Sequence, residues 1–327
     1  MSFVGHILLV LLAIVGAAAI ALALMLAWPL KPPPPLASIH EGAMRIDADG
    51  APDLSRYQAR DGTWLAYRLY AAANGARDRI AILAHGSSAS SVEMHPIAAA
   101  LAAEGVTAVA VDFRGHGASG TRGDVAYLGQ LDDDLADLIA ELRKADPAAR
   151  FALIGHSSGG GFALRVAAGS LGAEFDRFVL LSPYLGYSAP TNRPAQGPGL
   201  WASPDLPRIV ATVMLGRLGI DWPQALPVIA FANALEAKMF VTSQYSFRLL
   251  QNYTAPPDWK GAFERAKGRI AVIAGADDEL MNAEAYRREL SPLGIPVTIV
   301  PGVDHMGIVY RPEAIKAIVA ALAEPAD

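Results

Sequence analysis

The longest pattern along the chain is an uninterrupted apolar run at its start, where residues 7–30 carry no charged side chain. A helix rising 1.5 Å per residue needs about 20 such residues to cross a hydrocarbon core of about 30 Å. The run predicts a transmembrane helix, with residues 1–30 as an anchor and Trp28 at the headgroup level. A cleaved secretory signal is the competing reading, and small residues at 21–23 offer a peptidase something to cut. Signals of that kind carry a basic leader and a shorter apolar core, whereas no Lys or Arg precedes this run. Lys31 is the one basic residue close to either end, so the positive-inside rule leaves the orientation open.

Lys31 and the four prolines after it cannot continue a helix, and they predict a stiff polyproline II stalk advancing about 3.1 Å per residue. Up to about residue 60 the chain shows no clear period and scatters Asp, Gly and Pro, so residues 31–58 are read as stalk and irregular lead-in. Beyond it, short apolar runs recur at 64–70, 80–84, 106–111, 151–154, 178–181, 270–274 and 297–300. Runs of this length, apolar at consecutive positions, suit strands buried on both faces. Between them lie helical stretches such as 132–145, where Leu135, Leu138, Ile139 and Leu142 share one face and acidic residues open the first turn. Strand and helix in alternation predict an α/β fold with a mostly parallel sheet and helices on both faces. One interval, 183–268, breaks the rhythm with many prolines and two apolar, aromatic-bearing stretches at 206–218 and 225–250. At that length it reads as an inserted cap rather than a loop, leaving residues 59–182 and 269–327 for the catalytic domain.

Composition narrows the chemistry. With 53% hydrophobic residues, much of the excess in the N-terminal run, and a formal net charge of −5 without a basic cluster, nucleic acid is excluded as a partner. There is no cysteine, which removes disulfides, thiolate catalysis and Cys-ligated metals. No pair of histidines has the spacing of a helical zinc motif, and the glycines after Ser158 lack the Lys-Ser/Thr ending of a phosphate loop. Neither metal nor cofactor is implied, and no protein partner can be inferred.

The strongest local signal is Gly155-His156-Ser157-Ser158-Gly159, lying between an apolar run and a helix-compatible stretch. A serine hydroxyl becomes a useful nucleophile when it is raised on a tight strand-to-helix turn, with the helix N-terminus favouring developing negative charge. Ser157 occupies that apex; the bland alternative is a glycine-rich turn that only packs helix on sheet. Four further motifs follow predicted strands: His85-Gly86-Ser87-Ser88, Asp112-Phe113-Arg114-Gly115-His116-Gly117-Ala118-Ser119, Gly275-Ala276-Asp277-Asp278 and Asp304-His305-Met306-Gly307. With these five in this order, the chain from about residue 59 onward resembles the α/β-hydrolase superfamily, in particular its lysophospholipase and monoacylglycerol lipase-like branch, serine aminopeptidases of the S33 type included.

The resemblance assigns the two backbone N–H groups of an oxyanion hole to Ser87 and Ser158. Of the seven histidines, only His305 follows both the nucleophile and a strand-end acid, which gives the Ser, Asp, His order of this fold. Asp277, Asp278, Glu279 and Asp304 are all near enough to be the acid. In similar proteins it stands three positions after the strand-ending glycine, which selects Asp278 over Asp277, and Asp304 would strain to reach its own neighbour's ring. Asp112, Arg114 and His116 are read as structural. The expected function is a membrane-anchored serine hydrolase with Ser157, Asp278 and His305 as triad, cleaving small lipophilic esters. A peptidase or amidase on the same triad and a catalytically silent ligand-binding protein are the rivals.

Overall fold

The computed structural model describes residues 2–194, 200–233 and 241–323. The chain enters as helix α1 (Phe3–Leu26), none of whose side chains is buried, followed after an extended proline segment by α2 (Ala37–Met44). The α/β body then runs β1 (Leu54–Gln58), β2 (Trp64–Tyr70), β3 (Arg79–Ala84), α3 (His95–Ala103), β4 (Thr107–Asp112), α4 (Gln130–Arg143), β5 (Arg150–His156), α5 (Ser158–Ala168) and β6 (Phe175–Leu181). Between β6 and the next strand of the main sheet come β7 (Ala202–Pro204), α6 (Leu206–Gly216), β8 (Pro227–Phe231), β9 (Gln244–Ser246), α7 (Phe247–Asn252) and α8 (Trp259–Arg265). The chain closes with β10 (Ile270–Gly275), α9 (Ala283–Leu290), β11 (Val297–Val300), α10 (Gly307–Tyr310) and α11 (Pro312–Ala323).

Eight strands form one sheet in the order β1-β2-β4-β3-β5-β6-β10-β11, and only β2 runs antiparallel to its neighbours. Because side chains alternate across a strand, the continuous apolar runs feed two cores. Ile80, Ile82, Phe151, Leu153, Phe178 and Leu180 face α4, α5 and α8, while Ala81, Leu83, Ala152, Ile154, Val179 and Leu181 face α3 and α11. The predicted α/β-hydrolase architecture is therefore the one observed.

Two elements lie where the sequence predicts only an irregular lead-in. In β1 only Tyr57 is buried, so an edge strand of mostly polar residues left no apolar run to read, and the sheet begins before residue 59. In α2 the buried Ile39, Gly42 and Ala43 are too few to establish a helical period.

The 183–268 interval carries a separate antiparallel sheet, β7-β8-β9, while α8 packs against α5 of the main body. Residues 195–199 and 234–240, the latter within the apolar stretch at 225–250, lie outside the described residues. Helix α6 is inside out. Its protein-facing side holds Arg208, Ala211 and Thr212, whereas Leu206, Val210, Val213 and Met214 are exposed. It lies against the C-terminal end of α1, where the Arg208 guanidinium donates to the Leu26 carbonyl at 2.9 Å and to that of Trp28.

Candidate active site

Ser157 stands between the last residue of β5 and the first of α5, with φ +51° and ψ −116°. That strained conformation for a non-glycine residue is imposed by crowding on both sides. A Cβ at Gly155 would come within 2.2 Å of the Gly159 carbonyl oxygen, and one at Gly159 within 2.4 Å of the His85 oxygen. Without those two glycines the turn could not close, and Ser157 would not be raised at the head of α5.

His305 and Asp278 come from the loops after β11 and β10. Asp278 Oδ2 lies 2.9 Å from His305 Nδ1, and Asp278 Oδ1 accepts the N–H groups of Leu280 at 2.9 Å and Met281 at 2.7 Å. Burial alone would raise the Asp278 carboxyl pKa, but the adjacent imidazole, the Ser182 side chain and the Met281 N–H outweigh it and hold the acid ionised below its usual range. Burial would likewise lower His305, and the Asp278 charge reverses this, leaving the imidazole pKa above its ordinary value. An ionised Asp278 fixes the proton on Nδ1 and leaves Nε2 as the free basic nitrogen. Asp277 is exposed, Glu279 Oε2 accepts the His305 backbone N–H at 3.0 Å, and Asp304 Oδ1 accepts that of Gly307 at 2.5 Å. Of the four acids weighed, the imidazole meets Asp278.

Ser157, His305 and Ser87 line one cleft enclosing about 690 Å³, part of it open to solvent, with apolar walls that include Ile39, Ala43 and Ile46 beside Trp201. No hydrogen bond joins the Ser157 hydroxyl to His305 among the described residues, a common state of such pairs without substrate. The loop bearing Ser87 is pinned on either side of it. Gly86 N–H donates to Glu93 Oε1 at 2.7 Å, Ser88 N–H donates to Tyr245 Oη at 2.6 Å, and Trp201 Nε1 donates to Ser87 Oγ at 2.8 Å. Between these pins the Ser87 N–H meets no protein acceptor among the described residues, and neither does the N–H of Ser158, the first residue of α5.

The residues read as structural are so. Asp112 accepts the N–H groups of Ser91 and Ala118 at 2.7 and 2.9 Å, Arg114 is clamped between Asp134 and Asp61 at 2.7 and 2.9 Å, and His116 Nε2 meets Tyr245 Oη at 2.6 Å. Glu93 and Tyr245 are contacts of the site that motif reading passed over, and His156, inside the nucleophile motif, carried no role there. An isolated acid in the otherwise Ala-, Ser- and apolar-rich stretch between β3 and α3 was the one available hint of the first. Among the described residues no group of three or more His, Asp or Glu could hold a metal ion.

Comparison with known proteins agrees with this frame. The family model described as serine aminopeptidase, S33, matches residues 75–305, and the chain belongs to that family of α/β hydrolases. Among solved structures, a soluble variant of monoglyceride lipase from Saccharomyces cerevisiae superposes with a TM-score of 0.62 at 16% identity, covering 85% of this chain and 96% of that one. A monoacylglycerol lipase from Paleococcus ferrophilus gives 0.56 at 20% identity, covering 79% and 99%. A bacterial membrane phospholipase A gives 0.55 at 19% identity and covers 97% of this chain and 98% of that one. No curated protein matches in sequence. At these identities the structural likenesses establish the fold.

Proposed function

We propose that the protein is a membrane-anchored serine hydrolase that cleaves lipophilic carboxylic esters through an acyl-enzyme on Ser157. Ser157 Oγ attacks the acyl carbonyl while His305 Nε2 takes its proton, and Asp278 stabilises the resulting imidazolium. The tetrahedral oxyanion lies between the N–H groups of Ser87 and Ser158. His305 returns the proton to the departing alkoxide, and water repeats the sequence in reverse to release the acid. The observation that carries this reading is the Asp278–His305 contact of 2.9 Å facing the same cleft as the strained Ser157.

An ester is favoured over a peptide substrate by the cleft lining. Its one carboxylate among the described residues is Glu93, already taken up by Gly86 N–H and His156, which leaves no anionic partner for a substrate amine. Lipophilic substrate fits the apolar walls, one of which is α2, the helix that follows the apolar N-terminal run. The 183–268 interval acts as the cap, contributing Trp201, Ala232 and Asn233 to the cleft.

The anchor is supported by the length and exposure of α1, whose mean hydropathy over its most apolar window is 3.1, and by α6. A helix with polar residues inward and apolar residues outward is the reverse of a water-facing one. Beside the end of α1, that apolar face suits the bilayer interface.

Hydrolysis of p-nitrophenyl esters of increasing acyl length tests the reading, with wild type and Ser157→Ala compared. The wild type is expected to turn over with an optimum beyond the two-carbon acyl group, and Ser157→Ala to lose activity by a factor on the order of 10⁴ to 10⁶. Equal inertness of both proteins across the series, or activity falling steadily from the two-carbon ester, contradicts it.

A further inference from the structure

Glu93 sits in the single 3-10 turn that precedes α3 and is 7% exposed, and all its partners belong to segments that build the site. Its Oε1 accepts Gly86 N–H at 2.7 Å, one residue before Ser87, and lies 2.8 Å from Nδ1 of His156, one residue before Ser157. The other nitrogen of that ring, His156 Nε2, lies 3.2 Å from the backbone carbonyl oxygen of His305, and the two imidazoles are 4.8 Å apart between centroids. One carboxylate and one ring thus touch the oxyanion loop, the nucleophile strand and the base.

Counting protons defines the state of the pair. A carbonyl oxygen only accepts, so Nε2 of His156 carries hydrogen. Burial would raise the Glu93 carboxyl, but the adjacent imidazole and Gly86 N–H outweigh it and hold the acid ionised below its usual range, so Nδ1 of His156 donates to it. His156 is then an imidazolium and the pair is a buried ion pair with no net charge.

We propose that Glu93 and His156 are positioning residues whose opposite charges lock the Ser87 loop and the His305 backbone in register with Ser157. This rests on the triad reading above. Neutral substitutes cannot do the same work. The amide oxygen of Glu93→Gln can stand where Oε1 does and accept both Gly86 N–H and Nδ1–H, but it carries no charge to hold the second proton on His156. A neutral His156 has one N–H for two acceptors. Loosening either loop displaces Ser87 N–H or His305 Nε2, and a misplacement of about 1 Å can cost about 10²-fold in rate.

The test uses the full chain in detergent with a p-nitrophenyl ester, alongside urea unfolding. Glu93→Met is expected to lower kcat about 100-fold with KM within about threefold, and Glu93→Gln to fall between it and wild type. Removing one partner of a buried pair also destabilises the fold, so the deciding variant is the double Glu93→Met/His156→Leu. It leaves no unpaired charge and is expected to regain stability over Glu93→Met while keeping the kcat deficit. Recovery of kcat together with stability, or Glu93→Met within threefold of wild-type kcat, overturns the proposal. Nitrogen-15 spectra of the histidines in Ser157→Ala protein give a readout independent of turnover. Both ring nitrogens of His156 protonated at neutral pH is the expected result, and a neutral ring refutes the pair even where the triad stands. An inert wild type with an intact His156 imidazolium would instead point at the triad reading.

Discussion

Removing one hydroxyl, by Tyr245→Phe, should both destabilise the protein and slow its reaction. Tyr245 lies on β9, far in sequence from the loop it holds, and its side chain is 1% exposed. Its partner His116 is fully enclosed, and burial pushes that imidazole well below its ordinary pKa, so the ring is neutral. His116 Nδ1 lies 3.3 Å from the Arg114 carbonyl oxygen and must be the protonated nitrogen, which leaves Nε2 as an acceptor. The Tyr245 hydroxyl therefore donates to His116 Nε2 and accepts Ser88 N–H, both at 2.6 Å. Phenylalanine strands a buried acceptor and a buried donor together. At about 1–3 kcal/mol for each group left without a partner, the loss in folding stability is about 2–6 kcal/mol. The kinetic loss should be smaller than the 10²- to 10³-fold that follows deletion of an oxyanion donor, because Ser87 N–H is loosened and still held through Gly86; about tenfold in kcat with little change in KM is expected. Urea unfolding and ester hydrolysis read the two effects. Tyr57→Phe is the control: its hydroxyl donates only to the Asp134 carbonyl at 3.0 Å, on the α4 side of the molecule, so it should cost about 1 kcal/mol and leave kcat alone. Tyr245→Phe within 0.5 kcal/mol and twofold of wild type would refute the assigned donor and acceptor roles.

Two further outcomes follow from buried charges. In wild type burial would lower the His305 pKa, and the Asp278 charge reverses this and holds it above its ordinary value, so kcat/KM should rise with pH through that elevated value; in Asp278→Asn burial is opposed only by the smaller pull of Glu279 and Glu93, and the acid limb should move to lower pH than in wild type while the plateau drops by about 10⁴. The same charge pair stabilises the fold, His305 contributing most below about pH 6.5 and losing its share as pH rises through its folded pKa, and Asp278 losing its share as pH falls through its depressed one. Arg114→Met leaves Asp134, which burial already pushes up in pKa, without its partner at 2.7 Å; a loss of about 3–5 kcal/mol in urea unfolding is expected, and a change below about 1 kcal/mol would show that the clamp contributes little.

What could be read in advance was whatever the chain writes locally. Each buried strand is a run of consecutive apolar residues because both its faces meet helices, and Ser157 is announced by glycines that the turn requires at fixed spacing. The spacing of three positions after Gly275 in similar proteins points to Asp278 rather than Asp277, and in the fold the former is buried against His305 while the latter is exposed. The supports of the site were not legible, since they are single residues meeting across long separations: Tyr245 reaches Ser88, Trp201 reaches Ser87, and Glu93 reaches His156. Nothing around Tyr245, Trp201 or Glu93 repeats or brackets them. The same limit hid β1 and α2, one a mostly polar edge strand and the other too short for a period.

The central claim is a covalent acyl group on Ser157, and the most direct test is to catch it. A p-nitrophenyl ester mixed with the full chain in detergent and quenched with acid before deacylation should raise the intact mass by one acyl group, mapped by peptide fragmentation to Ser157 and missing from Ser157→Ala. An adduct on another residue, or turnover that persists in Ser157→Ala without any adduct at that position, would contradict the account.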